Sequence, residues 1–135
     1  MSAAFDLKIV TPNRVVFEGK AASVSCPGTE GRFQVLAKHA PLLSSLDIGE
    51  LDVVDEQNVR VEYAVSGGVV QVYHNAVLVL ADTAERREEI DTARASAART
   101  RAEQRLAGRT PDTDVERARA SLYRALNRLK VARPS

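Results

Sequence analysis

The chain has 135 residues, 44% of them hydrophobic and 27% charged, with a formal net charge of +1 and one cysteine. That length supports one compact core with an appendage and is short for two full domains. The lone Cys26 excludes an intrachain disulfide and a cysteine-based metal centre, and no stretch approaches the roughly 20 apolar residues of a membrane span.

The near-neutral total hides an asymmetry. Residues 1–82 carry 6 Lys/Arg against 10 Asp/Glu, a net of −4, whereas residues 83–135 carry 13 against 8, a net of +5. The two stretches present different fields to a partner. Because acids are interspersed through the basic half, its first reading is a solvated helix surface. The opening MSAAFDLKIV has no basic region followed by a long apolar core. No signal peptide is therefore expected, and a cytosolic, bacterial-type protein is the default.

Along the chain, Phe5, Leu7 and Ile9 alternate with Asp6 and Lys8, the pattern of a strand with one wet face. Thr11-Pro12-Asn13-Arg14 reads as a turn. Val15 to Phe17 restart a β pattern that Gly19 interrupts, and Ala22 to Cys26 form the next strand, ended by Pro27-Gly28. Thr29-Glu30-Gly31 makes a polar tip before Phe33 to Leu36. His39-Ala40-Pro41 is a loop into Leu42-Leu43, and Gly49 marks a turn before Leu51 and Val53. Asp55 to Asn58 look like a hairpin connection. Val59, Val61, Tyr63 and Val65 then share a face, Ser66-Gly67-Gly68 is a tight reversal, and Val70 and Val72 share the next face. His74-Asn75 turn the chain into the contiguous aliphatic strand Val77 to Leu80. The count is about eight to ten short strands, with connections too short for a βαβ crossover. Two packed antiparallel sheets or a flattened barrel is the expected solution for residues 1–82.

From Thr83 to Ala107 there is no Gly, Pro or Val, and Ala, Arg and Glu dominate. A helix is expected to start there, capped by Asp82 or Thr83, with Glu85 at capping-box spacing from Asp82. Asp91, Ala95, Ala98, Ala102 and Leu106 form a stripe that buries little area. Gly108 and Thr110-Pro111 break the helix, and Thr113 with Glu116 has capping-box spacing for a second one. Val115, Ala118, Leu122, Leu126 and Leu129 make a narrow seam. Residues 83–135 are thus expected to form an antiparallel two-helix hairpin, weakly held and able to open.

No catalytic constellation stands out. His39 and His74 are distant in sequence and lack a companion carboxylate cluster, so neither a catalytic nor a metal site is expected. Gly67-Gly68 lacks the lysine and following helix of a phosphate loop. Nucleic acid is not an expected partner, because three Phe and three Tyr make no stacking platform and acids lace both helices. The run Ile90-Asp91-Thr92-Ala93-Arg94-Ala95 has two readings. Asp91 and Arg94 share a helix face and can simply pair. Alternatively, an adenine ring rests against Ile90 and Ala95, Asp91 accepts from its amino group, and Arg94, Arg101, Arg124 and Arg128 meet the phosphates.

Several runs occur together in order: Ile9-Val10-Thr11-Pro12, Val16-Phe17-Glu18-Gly19, Pro27-Gly28-Thr29-Glu30-Gly31, His39-Ala40-Pro41-Leu42-Leu43, Val65-Ser66-Gly67-Gly68, Val79-Leu80-Ala81-Asp82, and Ile90-Asp91 with Ala93-Arg94-Ala95. With them the chain resembles the epsilon-subunit family of bacterial F-type ATP synthases. The resemblance implies a ten-stranded N-terminal β-sandwich, a C-terminal helical hairpin and no active site. It implies a rotor role: the sandwich grips the gamma subunit and touches the c-subunit ring of a complex that couples proton flow to ATP synthesis. The hairpin lies folded on the sandwich or extends toward the alpha and beta subunits, where it blocks ATP hydrolysis. No cofactor is required.

By the same resemblance, Glu30, Gly31, Arg32, His39, Pro41 and Leu42 are expected at the ring- and gamma-facing end. Arg117, Arg119, Arg124, Arg128 and Lys130 are expected to meet an acidic patch on beta. Glu85, Ile90, Asp91, Arg94, Ala95, Arg101, Arg124 and Arg128 match the family's regulatory ATP-binding pattern. Ala37-Lys38 stands where family members often have Pro-Gly, and Phe33-Gln34 where Phe-Gly is frequent, so this loop is expected to take its own conformation. The implied location is the cytoplasmic face of the bacterial plasma membrane, peripheral and held there only through the complex. The alternative is a free-standing ATP-sensing regulatory protein whose helical hairpin is clamped by the nucleotide.

Overall fold

The computed structural model describes residues 3–133, so the outermost residues of both expected modules lie outside it. Strand β1, Phe5–Val10, behaves as its alternation predicts: Phe5, Leu7 and Ile9 are buried while Asp6 and Lys8 face solvent. The turn closes with Thr11 N–H donating to Arg14 O at 3.0 Å. Strand β2, Val15–Gly28, then returns antiparallel to β1. Strands β3 (Gly31–Leu36), β4 (Leu42–Asp55), β5 (Arg60–Tyr73), β6 (Ala76–Ala81) and β7 (Ala84–Arg86) follow.

There are seven strands among the described residues, where the sequence suggests about ten. The β class stands; the difference lies in β2, β4 and β5, each 14 residues long. Gly19, Gly49 and Gly67-Gly68 fall inside these strands and do not end them. A glycine within a strand permits a bend or close backbone approach as readily as a reversal. Gly68 shows why the position is special. Its φ is +134°, and a Cβ there would lie 2.0 Å from Leu80 O.

Each long strand changes partners along its length. The first part of β2 pairs with β1, and the rest with β3 and β4. The first part of β5 pairs with β7, and its end with β6, while β4 runs beside both. The order β1-β6-β5-β4-β2 closes through the β1–β2 pairing, with β3 beyond β2. Among the described residues, all pairings are antiparallel except β1 with β6. The enclosed core includes Phe5, Ile9, Val24, Leu51, Tyr63, Val70 and Val79, all buried.

The passage from sheet to helix comes later than expected. Ala84–Arg86 pair with β5, and Ala84 joins the sheet core. Good helix formers are overruled here because an open strand edge satisfies their backbone groups. Asp82 and Thr83 cap nothing: Asp82 N–H donates to Gly67 O, and Thr83 O accepts from Ser66 N–H. A short 3-10 turn, Arg87–Glu89, precedes helix α1, Thr92–Ala107, whose cap is Asp91. Helix α2, Val115–Ala132, is capped by Asp114 instead of Thr113, with Asp114 Oδ1 accepting from Arg117 N–H at 3.0 Å.

The two helices pack as a hairpin, folded down so that α2 lies on β4 and β5. In α1 the alanine stripe is real: Ala95 and Ala102 are buried. In α2 the buried positions are Ala118, Ala125 and Val131, while Leu122 and Leu129 are only partly covered and Leu126 is exposed. The cause is that α2 is held from two sides, by α1 and by the sheet, so no single leucine stripe describes it. No helix among the described residues is long and apolar enough to cross a membrane.

Candidate functional site

The surface where α2 meets the sheet follows from strand alternation. Tyr63 and Val65 point into the sheet core, so Ala64 between them points out. Its small side chain leaves room for a helix. Ala64 and Ile90 pack with Val131 into a second, minor core, supported by Ala132. Beside this apolar contact, Arg128 Nε donates to Glu85 Oε1 at 2.5 Å, with both side chains about one-third exposed. Arg124 donates to Ser121 Oγ at 3.1 Å. Asn127 Nδ2 donates to Gly49 O at 2.9 Å and to Val65 O at 3.4 Å. The cleft enclosed by Ala64, Ser66, Glu85, Arg124, Asn127 and Arg128 has a volume of only about 10 Å³.

The expected nucleotide residues divide into two groups. Glu85, Arg124 and Arg128 come together at this cleft. Ile90 and Ala95 are both buried by protein, and Asp91 serves as a helix cap, its Oδ1 accepting from Arg94 N–H at 3.0 Å. Thus Asp91 acts on the backbone of Arg94, not on its guanidinium. Arg94 and Arg101 are exposed on α1. Between the start of α1 and the end of α2, Thr92, Arg99, Leu126, Leu129, Lys130 and Arg133 line an open groove of about 470 Å³.

At the β tip, Glu30 and Gly31 are exposed, and Gly31 takes a φ of +127° to turn β2 into β3. Arg32 reaches back to β4, donating to Glu50 O at 2.5 Å and to Asp52 Oδ2 at 3.1 Å. Asp52 Oδ2 also accepts from Arg60 at 3.1 Å, while its Oδ1 is buried without a partner among the described residues. Sequence inspection missed this group, because only the register Asp52↔Glu62 brings the acids together. Oxygens of Glu50, Asp52 and Glu62 lie within 4.8 Å of one another. Burial, then the charges of Asp52 and Glu62, raises the pKa of Glu50.

The loop after β3 is stitched from below. Lys38 takes a φ of +63°, a conformation that favours glycine, and its N–H donates to Asn75 Oδ1 at 2.7 Å. Asn75 Nδ2 in turn donates to Ala4 O at 3.0 Å. His39 Nδ1 lies 2.7 Å from Ala40 O. Pro41 is exposed and Leu42 half-buried, and Leu43 is 73% exposed. Along the same strands Val69, Tyr73 and Leu80 are also exposed, with Ser45 and Leu80 each paired to Val69. The result is a mainly apolar strip, interrupted by Gln71 beside Leu43, on the outer face of β4, β5 and β6, at the end opposite α2. On α2, Arg117, Arg119 and Lys130 are exposed, whereas Arg124 and Arg128 are drawn toward the sheet. The structure therefore separates the five expected basic contacts into an outward set and an inward set.

Comparison with known proteins accounts for both halves. The family model described as "ATP synthase, Delta/Epsilon chain, beta-sandwich domain" matches residues 4–87. The one described as "ATP synthase, Delta/Epsilon chain, long alpha-helix domain" matches residues 88–133. The ATP synthase epsilon chain of Moorella thermoacetica is 48% identical over 130 residues, covering 96% of this chain and 97% of that one. That of Pelotomaculum thermopropionicum is 53% identical over 126 residues, covering 93% of each. Among solved structures, a chain of the Euglena gracilis mitochondrial ATP synthase, OSCP/F1/c-ring, has the same fold. It aligns with a TM-score of 0.80 at 23% identity, covering 90% of this chain and 76% of that one.

Proposed function

Because this chain belongs to the ATP synthase epsilon-chain family, we propose that its β body fastens to a gamma subunit and a c-subunit ring while its helical hairpin restrains ATP hydrolysis. It is a non-catalytic stalk subunit of an F-type ATP synthase, part of the F1 portion of a membrane-associated complex. The observation that carries this reading is the match of both halves, in order, across nearly the whole chain. In the proposed bacterial setting it sits on the cytoplasmic face of the plasma membrane, held there by its partners.

The proposed contacts draw on the site's geometry. The apolar strip of Leu43, Val69, Tyr73 and Leu80 is a patch of the kind that marks a protein interface. The tip at Glu30, Gly31 and Arg32, with the His39–Leu42 loop, supplies the ring- and gamma-facing end. Arg117, Arg119 and Lys130 meet an acidic surface of beta when the hairpin extends, joined then by Arg124 and Arg128. Exposed ion pairs are individually weak, but a focused set steers and holds a mobile arm. The proposed regulatory ATP site uses the Ile90–Ala95 turn with Glu85, Arg101, Arg124 and Arg128. In the folded hairpin Arg128 would exchange Glu85 for phosphate, so binding and helix seating are coupled.

Purification from detergent-solubilised membranes tests the assembly: the chain is expected with alpha, beta, gamma and the ring, and its isolation alone would overturn the reading. Calorimetric titration of the isolated chain with Mg-ATP and with free ATP tests the nucleotide site, and no heat at millimolar ligand would rule it out.

A further inference from the structure

We propose that Asn127 is the latch that decides whether α2 is seated on the sheet. The apolar contact under α2 is small, built from Ala64, Ile90, Val131 and Ala132. Such a contact is tolerant of sliding, because burial is roughly proportional to area and has no direction. Hydrogen bonds do have direction. Gly49 and Val65 are register partners on β4 and β5, and the single Nδ2 of Asn127 reaches the carbonyls of both. Two acceptors fix the amide with its nitrogen toward the sheet, which no carboxylate or aliphatic side chain can reproduce.

The bonds exist only in the folded hairpin. Neither carbonyl belongs to α1, so the latch acts on α2 directly and draws α1 along through their mutual packing. The neighbouring Arg128–Glu85 pair is part-buried like the Asn127 bonds, but it joins two long side chains that can follow one another, whereas Asn127 bonds to fixed backbone carbonyls. A helix shifted by one turn or rotated away would lose both bonds at once, so a latch of this kind distinguishes one seating from its neighbours. When the hairpin extends, amide and carbonyls pass to water and the sheet itself keeps its ladder.

This inference deepens the two-state reading of the hairpin and rests on it, but it is tested on the isolated full-length chain. Amide hydrogen exchange is followed for wild type, Asn127→Leu and Asn127→Asp. Leucine removes the donor at similar volume, and aspartate sets a carboxylate against two carbonyls. Residues 115–132 are expected to exchange about tenfold faster in the leucine variant and faster still in the aspartate variant, with the strands as protected as in wild type. Unchanged α2 protection, or equal loosening of the strands, would overturn the latch. ATP hydrolysis by the reconstituted complex is read separately: a loosened α2 with unaltered hydrolysis would retain the latch and remove the inhibitory role.

Discussion

Glu85 and Arg128 join the last strand of the sheet to the last helix of the chain, with Oε1 and Nε 2.5 Å apart. Glu85 reaches this position only because residues 84–86 are strand and not helix. Replacing Glu85 by Gln or Arg128 by Met removes one partner of a pair about one-third exposed. A double-mutant cycle should return a coupling of about 1 kcal/mol in hairpin docking, falling as salt is raised. A coupling near zero at low salt would mean the pair is incidental.

Where the chain is cut should matter more than its helical content suggests. A chain ending after Ile90 keeps β7 and is expected to unfold cooperatively as a β body, whereas one ending after Asp82 loses the Ala84 contact and the β7 ladder. The longer fragment should have the higher denaturation midpoint. Built into the complex, either is expected to raise ATP hydrolysis, because the helices proposed to restrain it are gone. Hydrolysis at the intact rate would count against restraint by the hairpin.

Gly68→Ala is expected to destabilise the chain by at least about 3 kcal/mol, because it combines a left-handed φ with a backbone collision. Gly31 has φ +127° but open space around it, so Gly31→Ala should cost distinctly less. Chemical denaturation of the two variants provides the comparison. Similar losses would show that backbone conformation, not proximity to Leu80, governs Gly68.

Cys26 is fully buried in the core, and burial raises its thiol from 9.0 to about 12, with the charge of Arg32 acting in the opposite direction. The folded state therefore holds a proton that the unfolded chain gives up. The associated stability is complete below about pH 9 and is lost as pH rises from there toward about 12. Maleimide should fail to label the native protein at pH 8 and should label it once unfolded. Rapid native labelling would mean that the sheet opens locally around β2.

What could be read in the sequence was governed by how local each signal is. Alternation along Phe5–Ile9 and the turns at Asp55–Asn58 and His74-Asn75 depend on neighbours in the chain, and the structure has them as expected. Gly49 and Gly67-Gly68 misled, because whether a glycine bends a strand or reverses it is decided by the strands alongside. The helix starts later than composition predicts for the same reason, since the edge of β5 claims residues 84–86. The carboxylate group of Glu50, Asp52 and Glu62 depends on cross-strand register, and Asn127 on a helix docking far along the chain. Asp91 lay in a motif that drew notice for nucleotide chemistry, while its visible bond in the structure is to the helix backbone.

Strands β4 and β5 carry the apolar strip at one end and the seat of α2 at the other. Between Leu43 and Gly49, and between Val65 and Tyr73, the two strands keep one register with no loop between them, and the pairing lapses only at Asp47 and Gly67. A load applied by whatever grips the strip is therefore expected to reach the ground beneath the helix through paired backbone, with the bend at Gly67-Gly68 as the elbow that sets how much of the twist passes.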